Sequence, residues 1–326
     1  MRSFIMNSAR YVHLLSTVLG VTGCSAADPA ASDAADESST TSEALSGGGP
    51  ANKAGGRDES VLVTLNDDTV HRLSASGKDL GVFAQAGLDN PGGITLDRFG
   101  NVYVASVNNG TIHEYTAAGA DLGVFATSSE PVDLAFDHAG NLFVSDISDN
   151  SLRKFSPRGD ALGSVASVSG THCPSGLAFD RAGDLFVADQ CHSVVLKVSP
   201  SGTILATISS GISNPIELAF DDGGHLFVVN SDNGGPFGNT IREFDAEGTD
   251  LGTFASDGLH FPVGLALLRT GRALVANESQ RTGATDYSIR LLASDGSDLG
   301  DFVVLPSQPR HLAVVAPAKQ PNCHGR

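Results

Sequence analysis

The chain repeats itself, and the repeat restricts the fold more than any single motif. Five segments open alike: Pro91-Gly92-Gly93-Ile94-Thr95-Leu96-Asp97, Pro131-Val132-Asp133-Leu134-Ala135-Phe136-Asp137, Pro174-Ser175-Gly176-Leu177-Ala178-Phe179-Asp180, Pro215-Ile216-Glu217-Leu218-Ala219-Phe220-Asp221 and Pro262-Val263-Gly264-Leu265-Ala266-Leu267. Their starts lie 40, 43, 41 and 47 residues apart. A period of this size belongs to solenoids and propellers, and the content of each unit separates the two. In residues 131–166, Val132, Leu134 and Phe136 alternate with Asp133 and Ala135, the period of a strand. Asp137-His138-Ala139-Gly140 makes a turn, with Asp first and Gly last. Three more strand-like runs follow, at Leu142–Ser145, Leu152–Phe155 and Leu162–Val165. Four antiparallel strands per unit make a propeller blade.

The chain ends complete the count. Residues 61–84 match only the second, third and fourth strands of a unit, ending in Asp79-Leu80-Gly81-Val82-Phe83. The missing first strand stands at the far end, as Pro309-Arg310-His311-Leu312-Ala313-Val314-Val315. The expectation is an all-β, six-bladed β-propeller over 59–316, with four-stranded antiparallel blades and the last blade shared between the N- and C-terminal strands. Sharing closes the ring and removes an exposed sheet edge. Composition agrees: Gly is abundant at 38 residues, Trp is absent and only 17% of residues are charged, as suits short strands and tight turns.

Pro174 through Asp189, Pro-x-Gly-Leu-Ala-Phe-Asp-x-x-Gly-Asp-Leu-Phe-Val-Ala-Asp, resembles an NHL-type repeat. The wider group of six-bladed propellers includes SMP-30/gluconolactonase-like enzymes. The resemblance covers about 61–315 and implies the fold; its functions range from binding modules to metal-dependent lactonases. In SMP-30-like enzymes a metal ligand directly follows the Pro of a Pro-Asn-Gly or Pro-Asp-Gly motif. Here those positions hold Gly92, Val132, Ser175, Ile216, Val263 and Arg310, so that motif is absent in its usual form.

The N-terminus reads as an address. Residues 1–23 carry Arg2 and Arg10 before a short apolar stretch, the shape of a secretory signal. Val21-Thr22-Gly23-Cys24 resembles a bacterial lipobox, which implies lipidation at Cys24; ordinary signal cleavage nearby is the other reading. Ser25 rather than Asp after that Cys implies, by the same resemblance, the outer membrane of the cell envelope. Residues 24–58 are polar and small, unable to offset their ordering entropy by burial, and read as a disordered tether. A coil of that length reaches about 30 Å on average. Residues 317–326 read as a disordered tail containing Cys323.

Two position sets are candidates for chemistry. The residue two after each opening Pro runs Gly93, Asp133, Gly176, Glu217, Gly264, His311, so a potential ligand stands in every second blade. Around a six-fold ring Asp133, Glu217 and His311 would converge on the axis, able to hold one divalent cation such as calcium; the plain alternative is a solvated residue at each strand start. The second set closes each second strand: Thr64, Ser106, Asp146, Asp189, Asn230 and Asn277. Asp146, Asp189, Asn230 and Asn277 are ligand-binding candidates at the channel mouth, or caps that accept backbone N–H bonds. Both sets place the mouth on the face where the chain enters each first strand. Insertions at 231–240 and 279–286 lie on that face.

Cys173 precedes the first strand of its blade and Cys191 follows the second, so an antiparallel pairing sets them opposite each other. An exported chain meets oxidising conditions, and a Cys173–Cys191 disulfide is expected. A zinc site from His172, Cys173, Cys191 and His192 is the rival. No catalytic motif for a phosphate loop, dinucleotide or nucleophilic serine occurs. Asp and Glu outnumber Lys and Arg 37 to 20, a net charge of −17 that repels nucleic acid. The reading is therefore a membrane-anchored extracytoplasmic propeller acting as a ligand- or protein-binding module, its partner a protein, glycan or small molecule. A metal-dependent lactonase or hydrolase of the SMP-30/gluconolactonase type is the alternative.

Overall fold

The computed structural model describes residues 59–165, 173–231, 238–278 and 287–316. The signal at 1–23, Cys24, the tether at 24–58, His172, most of the two insertions, and the tail at 317–326 with Cys323 lie outside the described residues.

The described residues form six four-stranded antiparallel sheets. The innermost strands are β4 (Pro91–Leu96), β8 (Pro131–Phe136), β12 (Pro174–Phe179), β16 (Pro215–Phe220), β20 (Pro262–Leu267) and β24 (Pro309–Val315). Each of these but β24 opens a blade made of itself and the next three strands in sequence. β24 instead pairs with β1 (Ser60–Leu65), followed outward by β2 (Thr69–Ser74) and β3 (Asp79–Ala84). Val61 faces Val314, Leu62 faces Ala313 and Val63 faces Leu312 across that seam. The shared blade is thus formed as expected.

The core lies between blades. Phe136 of the third blade packs edge-on against Tyr103 of the second at 4.9 Å between ring centres. Phe179 meets Phe143 at 5.1 Å, and Phe220 meets Phe186 at 4.9 Å. The same strand positions make each contact, so the recurring Phe of the opening motif is the blade-to-blade rivet. Each such edge-on pair adds roughly 0.5–1.5 kcal/mol beyond its area burial.

The outermost strands need protection because each leaves one edge unpaired. The recurrent Asp-Leu-Gly supplies it. Asp79 accepts the Gly81 N–H at 2.8 Å, and Asp121 accepts the Gly123 N–H at 2.8 Å. Both glycines take φ of +96°, and the ladder slips register beside them. A side chain at either position would meet no neighbour. Glycine is there for its backbone angle, which makes a bulge that blunts the edge.

Cys173 and Cys191 are joined by a disulfide, with Cα atoms 5.6 Å apart. Both thiols are consumed, so the rival zinc site does not form. The bond closes a loop of sequence separation 18 across the first hairpin of the fourth blade. Replacing both cysteines by serine should cost about 3 kcal/mol. Denaturant unfolding with and without reductant checks this: reductant should destabilise the wild type and leave the double variant unchanged.

Candidate metal centre on the propeller axis

Asp133, Glu217 and His311 sit at the third position of β8, β16 and β24, one in every second blade. All three are buried. Each offers a ligand atom, and those atoms lie within 4.8 Å of one another. His311 Nδ1 is 2.7 Å from Glu217 Oε2 and 4.0 Å from Asp133 Oδ1. The structure therefore brings together the three residues that the alternation singled out.

Glycine at the same level in the other three blades makes the convergence possible. A Cβ on Gly93 would stand 2.5 Å from Asp133 Oδ1, and one on Gly264 would stand 2.1 Å from the Arg310 carbonyl oxygen. Any side chain there would push the neighbouring ligand strand off the axis. The alternation is a packing rule: three ligand strands advance and three glycines make way.

Asp133 and His311 are oriented by other strands, and Glu217 by its own. Asp133 Oδ2 accepts the Leu177 N–H at 2.7 Å, while its own N–H donates to Ser145 Oγ at 3.0 Å. Glu217 Oε1 accepts the Leu218 N–H at 3.2 Å. The His311 N–H donates to Thr64 Oγ1 at 3.0 Å, across the closing seam. Side-chain patterns could not have exposed these positioning roles, because backbone amides carry most of them.

Burial sets the charge state. It pushes Asp133 up to about 7, with the Glu217 charge adding to the effect and His311 opposing it. Burial also pushes Glu217 up to about 8, against the Leu218 N–H that favours the anion. His311 is lowered by burial, which the nearby Asp133 charge opposes. Two buried carboxyls resist joint ionisation and hold protons near neutral pH without a cation, while burial pushes the His311 imidazole towards its neutral form. A divalent ion would replace those protons. Two carboxylate oxygens and one imidazole nitrogen match a first-row divalent ion, and three protein ligands leave further positions open.

The trio faces a cavity of about 400 Å³. It runs past Thr95, Ala135 and Ala178 towards Phe136, His138 and Phe179 at the far ends of the first strands. The opening is thus on the face of the first hairpin turns, not the face from which the chain enters each blade. On the entering side adjacent blades pack closely: a Cβ on Gly92 would stand 2.8 Å from the Val132 carbonyl, and Ser175 Oγ donates to the Ile216 carbonyl at 2.6 Å.

The second set is placed away from that cavity. Asp146, Asp189, Asn230 and Asn277 are buried and none lines it. Asn277 Oδ1 accepts the His260 N–H at 3.0 Å and its Nδ2 donates to the Gly258 carbonyl at 3.0 Å. Asn230 does the same one blade earlier, with the Ser213 N–H at 3.0 Å and the Gly211 carbonyl at 2.8 Å. Asp146 accepts from Ser128 Oγ, from the Ser129 N–H at 2.7 Å and from the Glu130 N–H at 3.3 Å. Burial alone would raise its pKa, but these bonds hold it below the usual carboxylate range. Asp189 binds His192 through both the N–H, at 3.1 Å, and the ring, at 2.9 Å. These side chains tie down loops that lead into or out of their blades.

The fold and this trio define a six-bladed β-propeller with a buried Asp/Glu/His cluster that could hold a cation. No protein-family model and no curated protein matches the sequence. Solved structures do match in fold. A protein of unknown function from Bacteroides caccae aligns with TM-score 0.65 at 14% identity, over 80% of this chain and 100% of its own. A chain of the nidogen/laminin complex also gives TM-score 0.65 at 14% identity, over 78% of this chain and 98% of its own. A structural-genomics target named as a gluconolactonase gives TM-score 0.56 at 17% identity, over 69% of this chain and 81% of its own.

Proposed function

We propose that the propeller is an extracytoplasmic ligand-binding module built around one divalent cation, held by Asp133, Glu217 and His311. The convergence of three buried donor atoms within 4.8 Å carries this reading. The mixed oxygen and nitrogen donors favour zinc or manganese over calcium, which prefers six or more oxygens. The ligand is a small molecule that reaches the cation through the cavity. The lipobox-like segment supports tethering to the cell envelope through Cys24.

Hydrolysis of a small ester or lactone is the second reading. The open coordination positions facing a cavity, and a structural neighbour that carries the name gluconolactonase, favour it. A bound cation supplies a Lewis-acid site for a carbonyl oxygen. Asp133, Glu217 and His311 would hold that ion at the wall of the cavity.

Thermal unfolding of the EDTA-treated protein, titrated with zinc, manganese and calcium, tests the first reading. An ion bound only to the native state stabilises by about 2.7 kcal/mol at a hundredfold excess over its Kd. Zinc or manganese should raise the Tm, and Glu217→Gln should abolish the rise. Absence of a shift with all three ions ends the reading. Lactone turnover that vanishes in Glu217→Gln would establish the enzymatic version.

A further inference from the structure

A second cavity, of about 330 Å³, lies between the second and third blades on the same face as the axial opening. Its chemistry differs from that of the axis. One wall is Phe99, the tip of the turn Asp97-Arg98-Phe99-Gly100, and this residue is 74% exposed. The turn does not need that ring. Asp97 Oδ1 accepts the Phe99 N–H at 2.8 Å and the Asn101 N–H at 2.9 Å, and Gly100 takes φ of +87°. The equivalent turns of the next three blades carry Ala139, Ala182 and Gly223 at that position. An aromatic ring left in water where its siblings are small costs hydrophobic free energy that the fold does not recover.

Aromatic and apolar residues form much of the remaining wall. Tyr103 and Phe136 line it, and Pro157 and Gly140 stand opposite Phe99 in the third blade. Tyr103 is fixed by edge contacts to Phe125 at 5.0 Å and Phe136 at 4.9 Å, with its hydroxyl donating to Glu114 at 2.9 Å. The rim carries charge of both signs. Asp97 and Asp137 accept hydrogen bonds from their own turns, and Asp137 Oδ2 also lies 3.5 Å from Lys154 Nζ. Arg98 is exposed and places its guanidinium 4.8 Å from the Phe99 ring centre, a positive charge beside the aromatic wall. His138 and Phe136 line both this groove and the axial cavity, so the two meet at the rim.

We propose that this groove binds a small aromatic carboxylic acid, its ring between Phe99 and Pro157 and its carboxylate on Arg98. Flat rings stack on aromatic walls, and a guanidinium pairs with a carboxylate through two parallel hydrogen bonds. The site is separate from the axial cation.

Calorimetric titration of the full chain with 2-naphthoate, and with its neutral analogue 2-naphthamide, tests this. The acid should bind saturably and more tightly than the amide. Phe99→Ala, at a position that bears no structural load, should weaken both by about tenfold, the loss expected of an anchor ring. Arg98→Gln should weaken the acid and leave the amide unchanged. EDTA and Glu217→Gln should leave the acid's affinity as it was, which separates this groove from the axial reading. No saturable binding into the millimolar range would overturn the proposal. So would indifference to Phe99→Ala, equal effects of Arg98→Gln on acid and amide, or dependence on the axial trio.

Discussion

A chain that stops at Ser307 should lose cooperative unfolding altogether. The truncation removes β24, and with it the inner partner of β1. Every residue of β1 is buried, so its freed backbone groups and the side chains of Val61, Leu62 and Val63 would face water or an open channel. Leu312 and Ala313 leave the two clusters that bind the first blade to its neighbours. Each buried apolar side chain contributes roughly 1.5–3 kcal/mol and each ladder bond roughly 1 kcal/mol. Those losses compare with the whole margin of ~5–15 kcal/mol that holds a typical domain together. Near-UV circular dichroism and thermal melts of the two chains make the comparison. A truncated chain that melts sharply within a few degrees of the intact one would refute the closure argument. The complementary experiment restores the strand by another route. Val315 pairs with Ser60, so joining them by Asn-Gly creates an ordinary hairpin. A permuted chain beginning at Pro309 and ending at Ser307 should fold and melt like the original.

The ring was legible because its information is repeated. Any one strand of five apolar-alternating residues is ambiguous, but five openings at nearly equal spacing, each followed by the same turns, are not. The split blade was legible for the same reason: one unit lacked its first strand and one strand lacked its unit. The axial trio followed from a single position in the repeat, because in a ring equivalent positions share one radius. Asp133, Glu217 and His311 meet on that account, and the intervening glycines are the mark of the crowding.

What the sequence left open has a common physical cause. Asn230 and Asn277 carry the same atoms whether they cap a loop or coordinate a ligand, and only the distance to the Gly211 and Gly258 carbonyls separates the roles. How near the backbones of neighbouring blades approach at Gly92 and Ser175 is not a property of either residue alone. Asp79-Leu80-Gly81 reads as strand and is strand, yet its bulge is a backbone angle that Gly permits without announcing. The Phe99 groove arises between two blades that are forty residues apart in sequence, so no local pattern contains it.

Cation affinity on the axis should rise steeply with pH between about 6 and 8. Burial is the first cause: it lifts Asp133 to about 7 and Glu217 to about 8, so near pH 6 both carboxyls are largely protonated. An incoming divalent ion must displace those protons, and each one displaced changes affinity by about tenfold per pH unit. Calorimetry in two buffers of different ionisation enthalpy should register the released protons directly. Stability must move the other way when no cation is present. Both folded-state values stand above the ordinary 3.8 and 4.5, so the folded chain holds these protons more tightly than the unfolded one. That contribution is full below about pH 4 and is lost as pH rises through about 7 and 8. His311, lowered by burial from its ordinary 6.5, acts oppositely: its contribution is lost as pH falls. Comparison above neutral pH therefore isolates the carboxyls. There the Tm of the EDTA-treated protein should decline while that of the loaded protein holds, and the gap should widen towards pH 8. In Asp133→Asn/Glu217→Gln both the decline and the gap should vanish. A gap that stays constant across this range would mean that the carboxyls are ionised without a cation. The axis would then be a hydrated ion pair of His311 with its neighbours and not a site waiting for a metal.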